Sequence, residues 1–265
     1  MNTFVLIREV YPVGFPVMSG VLGAIVGSFL GVVAERVPGM VMEEEGGGNL
    51  LFPASHCPAC QHTLAAWENI PLVSWFLLRG RCSRCGVVIP LRIFLVELLS
   101  ALFFGVTAWC MPNVQALFSL WVLATFLLPL TIIDWRHQLL PDCLTQPLLW
   151  AGLLLHAFEH TMPLRDALFG AVAGYLSLWL LYWTFRFCTG REGLGYGDFK
   201  LLAALGAWCG WLALPTLVLV AALSGIVGYF ILNILNKNNL IIAFGPYLSF
   251  AGIVVFIAQQ FAFIF

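Results

Sequence analysis

The sequence predicts an all-α integral membrane protein with about eight transmembrane helices and one zinc-bearing loop. Three observations predict it. Only 9% of the 265 residues are charged and 61% are hydrophobic, where a water-soluble chain carries roughly 25% charged residues. The apolar residues gather in uncharged runs of about 20 residues, the length that crosses a hydrocarbon core. The one long polar insertion between those runs holds a doubled Cys-x-x-Cys pattern.

In chain order, the first run is 10–34. A cleaved signal peptide is not expected there: the run is too long, Glu9 cancels Arg8, and no small-x-small site follows. The polar insertion 35–92 comes next, and its Glu43 to Gly48 stretch reads as a solvated loop tip. The second run, 93–110, carries only Glu97, and the third is 114–133. The fourth, 144–158, is short but uncharged, with His156 near its end; the fifth is 167–185. The stretch 201–236 is too long for one helix, and Gly210, Trp211 and Pro215 offer a turn, so it is read as two. The eighth run is 238–265, and an even count puts both termini on one side.

The basic residues set the orientation. With the N-terminus outside, the inner segments hold Arg36, Arg79, Arg81, Arg84, Arg92, Arg136, Arg186, Arg191, Lys200 and Lys237, leaving Arg8 and Arg165 outside. That asymmetry follows the positive-inside rule and places the insertion in the cytoplasm.

The insertion carries four of the eight cysteines as Cys57-Pro58-Ala59-Cys60 and Cys82-Ser83-Arg84-Cys85. Two thiolates on one tight turn reach the same ion, and two such turns supply the tetrahedral sulfur shell that zinc prefers. A short loop has little core, so the metal would supply much of its folding energy. His56 and His62 flank the first pair as alternative ligands. Cys110, Cys143, Cys188 and Cys209 stand singly in or beside the runs and read as packing residues.

Acids beside membrane spans are costly and therefore informative. Asp134 closes the third run and Asp198 opens the sixth. The alternating direction of the spans brings both to the cytoplasmic boundary. Two carboxylates sharing one water are the working parts of an aspartyl peptidase: one takes a proton from water while the other polarises the scissile carbonyl. Each acid alone would also suit a helix cap, or a partner for Arg136 or Lys200. Asp142, just after Pro141, is the rival for the first position.

The stretch from Asp134-Trp135-Arg136-His137 to Pro141-Asp142, with Gly195-Tyr196-Gly197-Asp198-Phe199-Lys200, resembles the bacterial type IV prepilin peptidases, including those serving type II secretion. The resemblance extends to Gly27-Ser28-Phe29-Leu30, His56-Cys57-Pro58, Asn69-Ile70-Pro71 and Arg79-Gly80-Arg81-Cys82. It implies an enzyme of the bacterial inner membrane that cuts the leader from pilin or pseudopilin precursors at the cytoplasmic face. It further implies methylation of the new N-terminus with S-adenosylmethionine. Asp134 and Asp198 then become the catalytic pair, and Cys57, Cys60, Cys82 and Cys85 the zinc ligands. The parts implied are a first helix 1–34, a zinc loop 35–92 that with that helix carries methylation, and a peptidase domain 93–265. One departure stands out: Gly31 occupies the place where the family commonly has asparagine. No residues are assigned to the methyl donor; Glu68 and Glu97 are the acids to test first. The partners implied are the precursors and the bilayer, with no nucleic acid. Two other classes remain open at this point, a proton- or cation-coupled transporter using the same acids, and an assembly factor docking through its zinc loop.

Overall fold

Among the described residues eight helices of 14 residues or more form where the uncharged runs fall, since in lipid a backbone satisfies its polar groups only within a helix or a closed barrel. In the computed structural model the described residues are 10–42, 49–50, 52, 54–159, 161–191, 193, 195–234 and 243–262. The helices are α1 Gly14–Val41, α2 Leu91–Cys110, α3 Val114–His137, α4 Asp142–Glu159, α5 Leu164–Thr189, α6 Tyr196–Cys209, α7 Leu214–Ile234 and α8 Gly245–Ala262. The long sixth stretch does break in two. A 3-10 turn, Trp211–Ala213, separates α6 from α7 after Gly210, whose φ of 79° suits only glycine. Among the described residues six helices are long and apolar enough to cross a membrane; α4 and α6 fall below that measure. With 14 residues, α6 is about 21 Å long against a core of about 30 Å. The expected loop tip at 43–48 lies outside the described residues, as do Arg8 and Lys237 of the charge tally.

The chain divides into two compact units, Met1–Trp121 and Val122–Phe265. In the first, α1 and α2 pack antiparallel and very close. A Cβ on Gly23 would stand 2.5 Å from the Ser100 carbonyl oxygen, so the backbones meet only because that position has no side chain. Arg92 pairs with Glu35 at 3.0 Å where the two helices reach the polar insertion. Phe104 stacks on Trp121 at 4.7 Å, and the Trp121 indole donates to Thr107 Oγ1 at 2.9 Å. Within the insertion, a five-residue helix Val73–Leu77 rests on α2. Trp75 lies 4.6 Å from the Phe94 ring, and the Leu72 N–H donates to Glu97 Oε2 at 2.8 Å.

The second unit is built around α6. From Asp198 to Cys209 every residue but Lys200 is buried. Helix α5 crosses it antiparallel through Gly170 against Gly206, and through Gly174, where a Cβ would stand 2.7 Å from the Leu202 carbonyl oxygen. Trp208 donates to the Leu148 carbonyl of α4 at 2.8 Å and lies edge-on to Phe256 of α8. By contrast α7 leaves Leu219, Leu223, Ile226, Val227, Phe230 and Ile231 exposed, a face fit for lipid.

Candidate active site and metal centre

Asp134 ends up in the last turn of α3, because the uncharged run before it continues as helix through Ile133 to His137. Asp198 enters the first turn of α6, which starts at Tyr196, five residues before the predicted run. Both are buried, at 5% and 7% exposure. They lie close enough for the charge on Asp134 to act on Asp198. Leu140 fills the interval between their surroundings. Its Cβ stands 2.7 Å from where a Cβ on Gly197 would be, and its Cδ2 3.2 Å from where one on Gly245 would be. Asp134 Oδ2 also accepts the Gly245 N–H at 2.9 Å, at the start of α8. Two buried carboxyl groups within electrostatic reach, one held by a backbone donor, can share a proton and work on a water molecule.

Asp142 stands apart from this pair. Both of its oxygens accept Lys200 Nζ, at 2.6 and 2.8 Å, and its side chain is 61% exposed. This carboxyl is thus satisfied by a lysine at the surface, not buried beside a second acid. The same contact ties the start of α4 to the first turn of α6, with the Leu140 turn between them.

Gly245 and Leu140 were not singled out from the sequence. The only available signal for Gly245 was Gly-Pro inside the last apolar run, a pair that marks a helix start. A Cβ at Gly245 would lie 2.5 Å from Asp134 Oδ2, so this site requires glycine.

In the first unit the four cysteines of the insertion come together, all four Sγ atoms lying within 4.8 Å of one another. Cys57 and Cys85 are 3.8 Å apart, and Cys60 and Cys82 4.0 Å. A tetrahedral ion with sulfur at about 2.3 Å has edges of about 3.8 Å, so these two separations match zinc and the rest, all within 4.8 Å, need close by no more than about 1 Å. The two knuckles share one construction. Gln61 N–H donates to the Cys57 carbonyl at 2.9 Å and Gly86 N–H to that of Cys82 at 3.0 Å. The residue after each second cysteine is left-handed, Gln61 at φ 58° and Gly86 at φ 70°. The N–H groups of Cys85 and Arg84 draw the Cys82 thiol down to about 6, toward the thiolate that a metal requires.

Neither neighbouring histidine joins the sulfurs. His56 Nδ1 bonds the Ala54 carbonyl at 3.0 Å, and His62 Nε2 lies 3.3 Å from Glu68. Glu68 in turn bonds the Ala65 N–H at 2.8 Å and the Ser83 hydroxyl between the second pair of cysteines. That buried acid links one knuckle to the other, and the Ser83 bond holds its carboxyl below the usual range. Glu97 holds the turn at Leu72, whose φ is 61°. A Cβ on Gly31 would meet nothing within 4 Å.

Residues 21–111 match the Bacterial Peptidase A24 N-terminal domain, and residues 121–232 match the Type IV leader peptidase family. The chain is 50% identical over 250 residues to a prepilin leader peptidase/N-methyltransferase of Pectobacterium carotovorum subsp. carotovorum, covering 88% of this chain and 90% of that one. Proteins of the same name from Stutzerimonas stutzeri and Neisseria gonorrhoeae are 45% and 42% identical, covering 91% and 92% of this chain and 90% of each of theirs. No solved structure matches the chain.

Proposed function

The chain belongs to the type IV leader peptidase family, and on that premise we propose that it removes the leader from type IV prepilin or pseudopilin precursors and then N-methylates the mature N-terminus. Asp134 and Asp198 are the catalytic pair. The observation that carries this assignment is that both acids, 64 positions apart in sequence, are buried in surroundings that meet at Leu140, while Asp142 is exposed and bound to Lys200. The ionised carboxylate takes a proton from water, whose oxygen attacks the scissile carbonyl carbon. The protonated partner donates to the carbonyl oxygen. Collapse of that intermediate breaks the C–N bond, and the proton passes to the departing amine. The Gly245 N–H fixes the orientation of the Asp134 carboxyl throughout.

Cys57, Cys60, Cys82 and Cys85 would hold zinc as a structural cross-link, with Glu68 bracing the two knuckles. Methylation would take its methyl group from S-adenosylmethionine. The two buried acids of the first unit among the described residues, Glu68 and Glu97, both bond backbone N–H groups. Their first duty is to the loop. The positive charges of the insertion favour a cytoplasmic site in the inner membrane.

The test uses purified protein, a precursor peptide and S-adenosylmethionine, with cleavage and methylation read separately by mass. Asp134→Asn and Asp198→Asn should each abolish cleavage while leaving the protein inserted and folded, because an amide neither takes nor gives the proton. A folded Asp134→Asn variant that still cuts would overturn the assignment.

A further inference from the structure

We infer that the five-residue helix Val73–Leu77 lies in the bilayer interface, its apolar face sunk among lipid chains at the level of the first turns of α2. Val73, Phe76 and Leu77 fall at i, i+3 and i+4 on one face of the helix and are exposed, Phe76 at 64% and Leu77 at 67%, and Ile70 in the turn before it is exposed as well. In a water-facing loop such a stripe would stand open to solvent, whereas a short apolar face beside a membrane span belongs in the interface.

The depth of the helix is fixed by its attachments. The Leu72 N–H is bonded to Glu97, and the Trp75 and Phe76 rings lie 4.6 and 5.3 Å from the Phe94 ring. Helix α2 starts at Leu91, so Glu97 lies about 9 Å along it at 1.5 Å per residue. An amphipathic helix in the interface sinks about 5–10 Å. The exposed stripe also continues onto α2, where Leu91, Leu95 and Leu99 beside Phe94 are exposed and belong to a spanning helix. Arg79 and Arg81 follow directly after Leu77 and are exposed. Their charge complements anionic headgroups at the place where the chain leaves the lipid. These features select a lipid surface as the partner over a second protein.

The test places the photoreactive residue benzoylphenylalanine at Phe76 or Leu77 in the full chain, reconstituted in vesicles of phosphatidylethanolamine and phosphatidylglycerol. The same probe at Leu99 of α2 reports direct lipid contact, and at Gln61 on the first knuckle reports the loop's polar surface. Illumination should give protein–phospholipid adducts by intact mass at Phe76 and Leu77 in yields like those at Leu99, with none at Gln61. Phe76 is an exposed ring replaced by a larger ring, and Leu77 provides a second position should that substitution disturb the fold. Lipid adducts at Leu99 alone would overturn the inference. So would cross-links from Phe76 and Leu77 to an added precursor peptide or a second copy in place of lipid, or equal lipid labelling at Gln61.

Discussion

Gly245→Ala adds one methyl group beside Asp134 and leaves every titratable group in place. The new Cβ would stand 2.5 Å from Asp134 Oδ2, 3.1 Å from its Cγ and 3.2 Å from Leu140 Cδ2. Ordinary contact begins at 3.4 Å, so the gap to Oδ2 has to open by about 0.9 Å. Either the carboxyl swings away or the start of α8 retreats, and both lose the 2.9 Å bond from the Gly245 N–H. A displacement of about 1 Å in a catalytic group costs on the order of 10²-fold in rate, or about 2.7 kcal/mol of barrier at 1.36 kcal/mol per tenfold. The assay is leader cleavage of a precursor peptide by purified protein, followed by mass. The expected result is a kcat lower by about 10²-fold with KM within a few-fold. Gly252→Ala on the same helix is the control. Its Cβ would press on Leu205 Cδ2 at 2.5 Å, lowering Tm without a comparable loss of kcat. Full turnover in a folded Gly245→Ala protein would refute the placement of Asp134 as the positioned acid.

Other substitutions test neighbouring parts of the argument. Asp142→Asn breaks an exposed ion pair, so the cost should stay near 1 kcal/mol and cleavage within about fivefold; a loss as complete as that of Asp134→Asn would move the pair to Asp142. Freshly purified protein should carry about one zinc by elemental analysis. Cys57→Ser combined with Cys82→Ser should release it and speed proteolysis within 54–90; metal-free wild-type protein would remove the zinc assignment. His156→Leu leaves the Trp208 carbonyl unpaired inside the second unit and should cost about 1–3 kcal/mol, read as a lower Tm; an unchanged Tm would show that another group satisfies that carbonyl.

Legibility in the sequence follows the range of the physics involved. Uncharged runs report the helices directly, since the constraint acts on each segment by itself. The break after Gly210 was equally readable, because the turn needs a left-handed residue and the sequence shows glycine. Paired knuckles predict a shared site by spacing alone, and their sulfurs do converge. What stayed hidden depends on partners distant in sequence. Gly245 lies 111 positions from Asp134, and nothing local says that its N–H will meet a carboxylate. Glu68 and Glu97 were legible as unusual acids, but their attachment to backbone N–H groups of the loop required the fold. Gln61 hides in a similar way: its left-handed backbone is announced at the second knuckle by Gly86 and disguised at the first by a side chain.

The shortness of α6 ties these hidden contacts together. A helix of about 21 Å is too short to cross a core of about 30 Å, and its last residues, Trp208 and Cys209, are buried, so their carbonyls need partners within the protein. Two polar residues of the neighbouring helices answer that need. His156 of α4 bonds the Trp208 carbonyl at 3.1 Å, and Gln259 of α8 donates to the Cys209 carbonyl at 2.8 Å. A carbonyl only accepts, so the histidine proton sits on Nε2, and Nδ1 accepts from the Thr161 hydroxyl at 2.8 Å. The C-terminal end of α6 is thereby fixed by α4 and α8, with α5 pressed against it through Gly170 and Gly174. With that end fixed, Asp198 in the first turn has little freedom to move along the helix axis. Asp134 is held from the other side by the first residue of α8, the same helix that supplies Gln259. One helix therefore positions both acids, binding the Asp134 carboxyl at its N-terminus and the end of α6 through Gln259. His156 and Gln259 thus act as caps on the end of α6 that help keep two distant carboxylates in register.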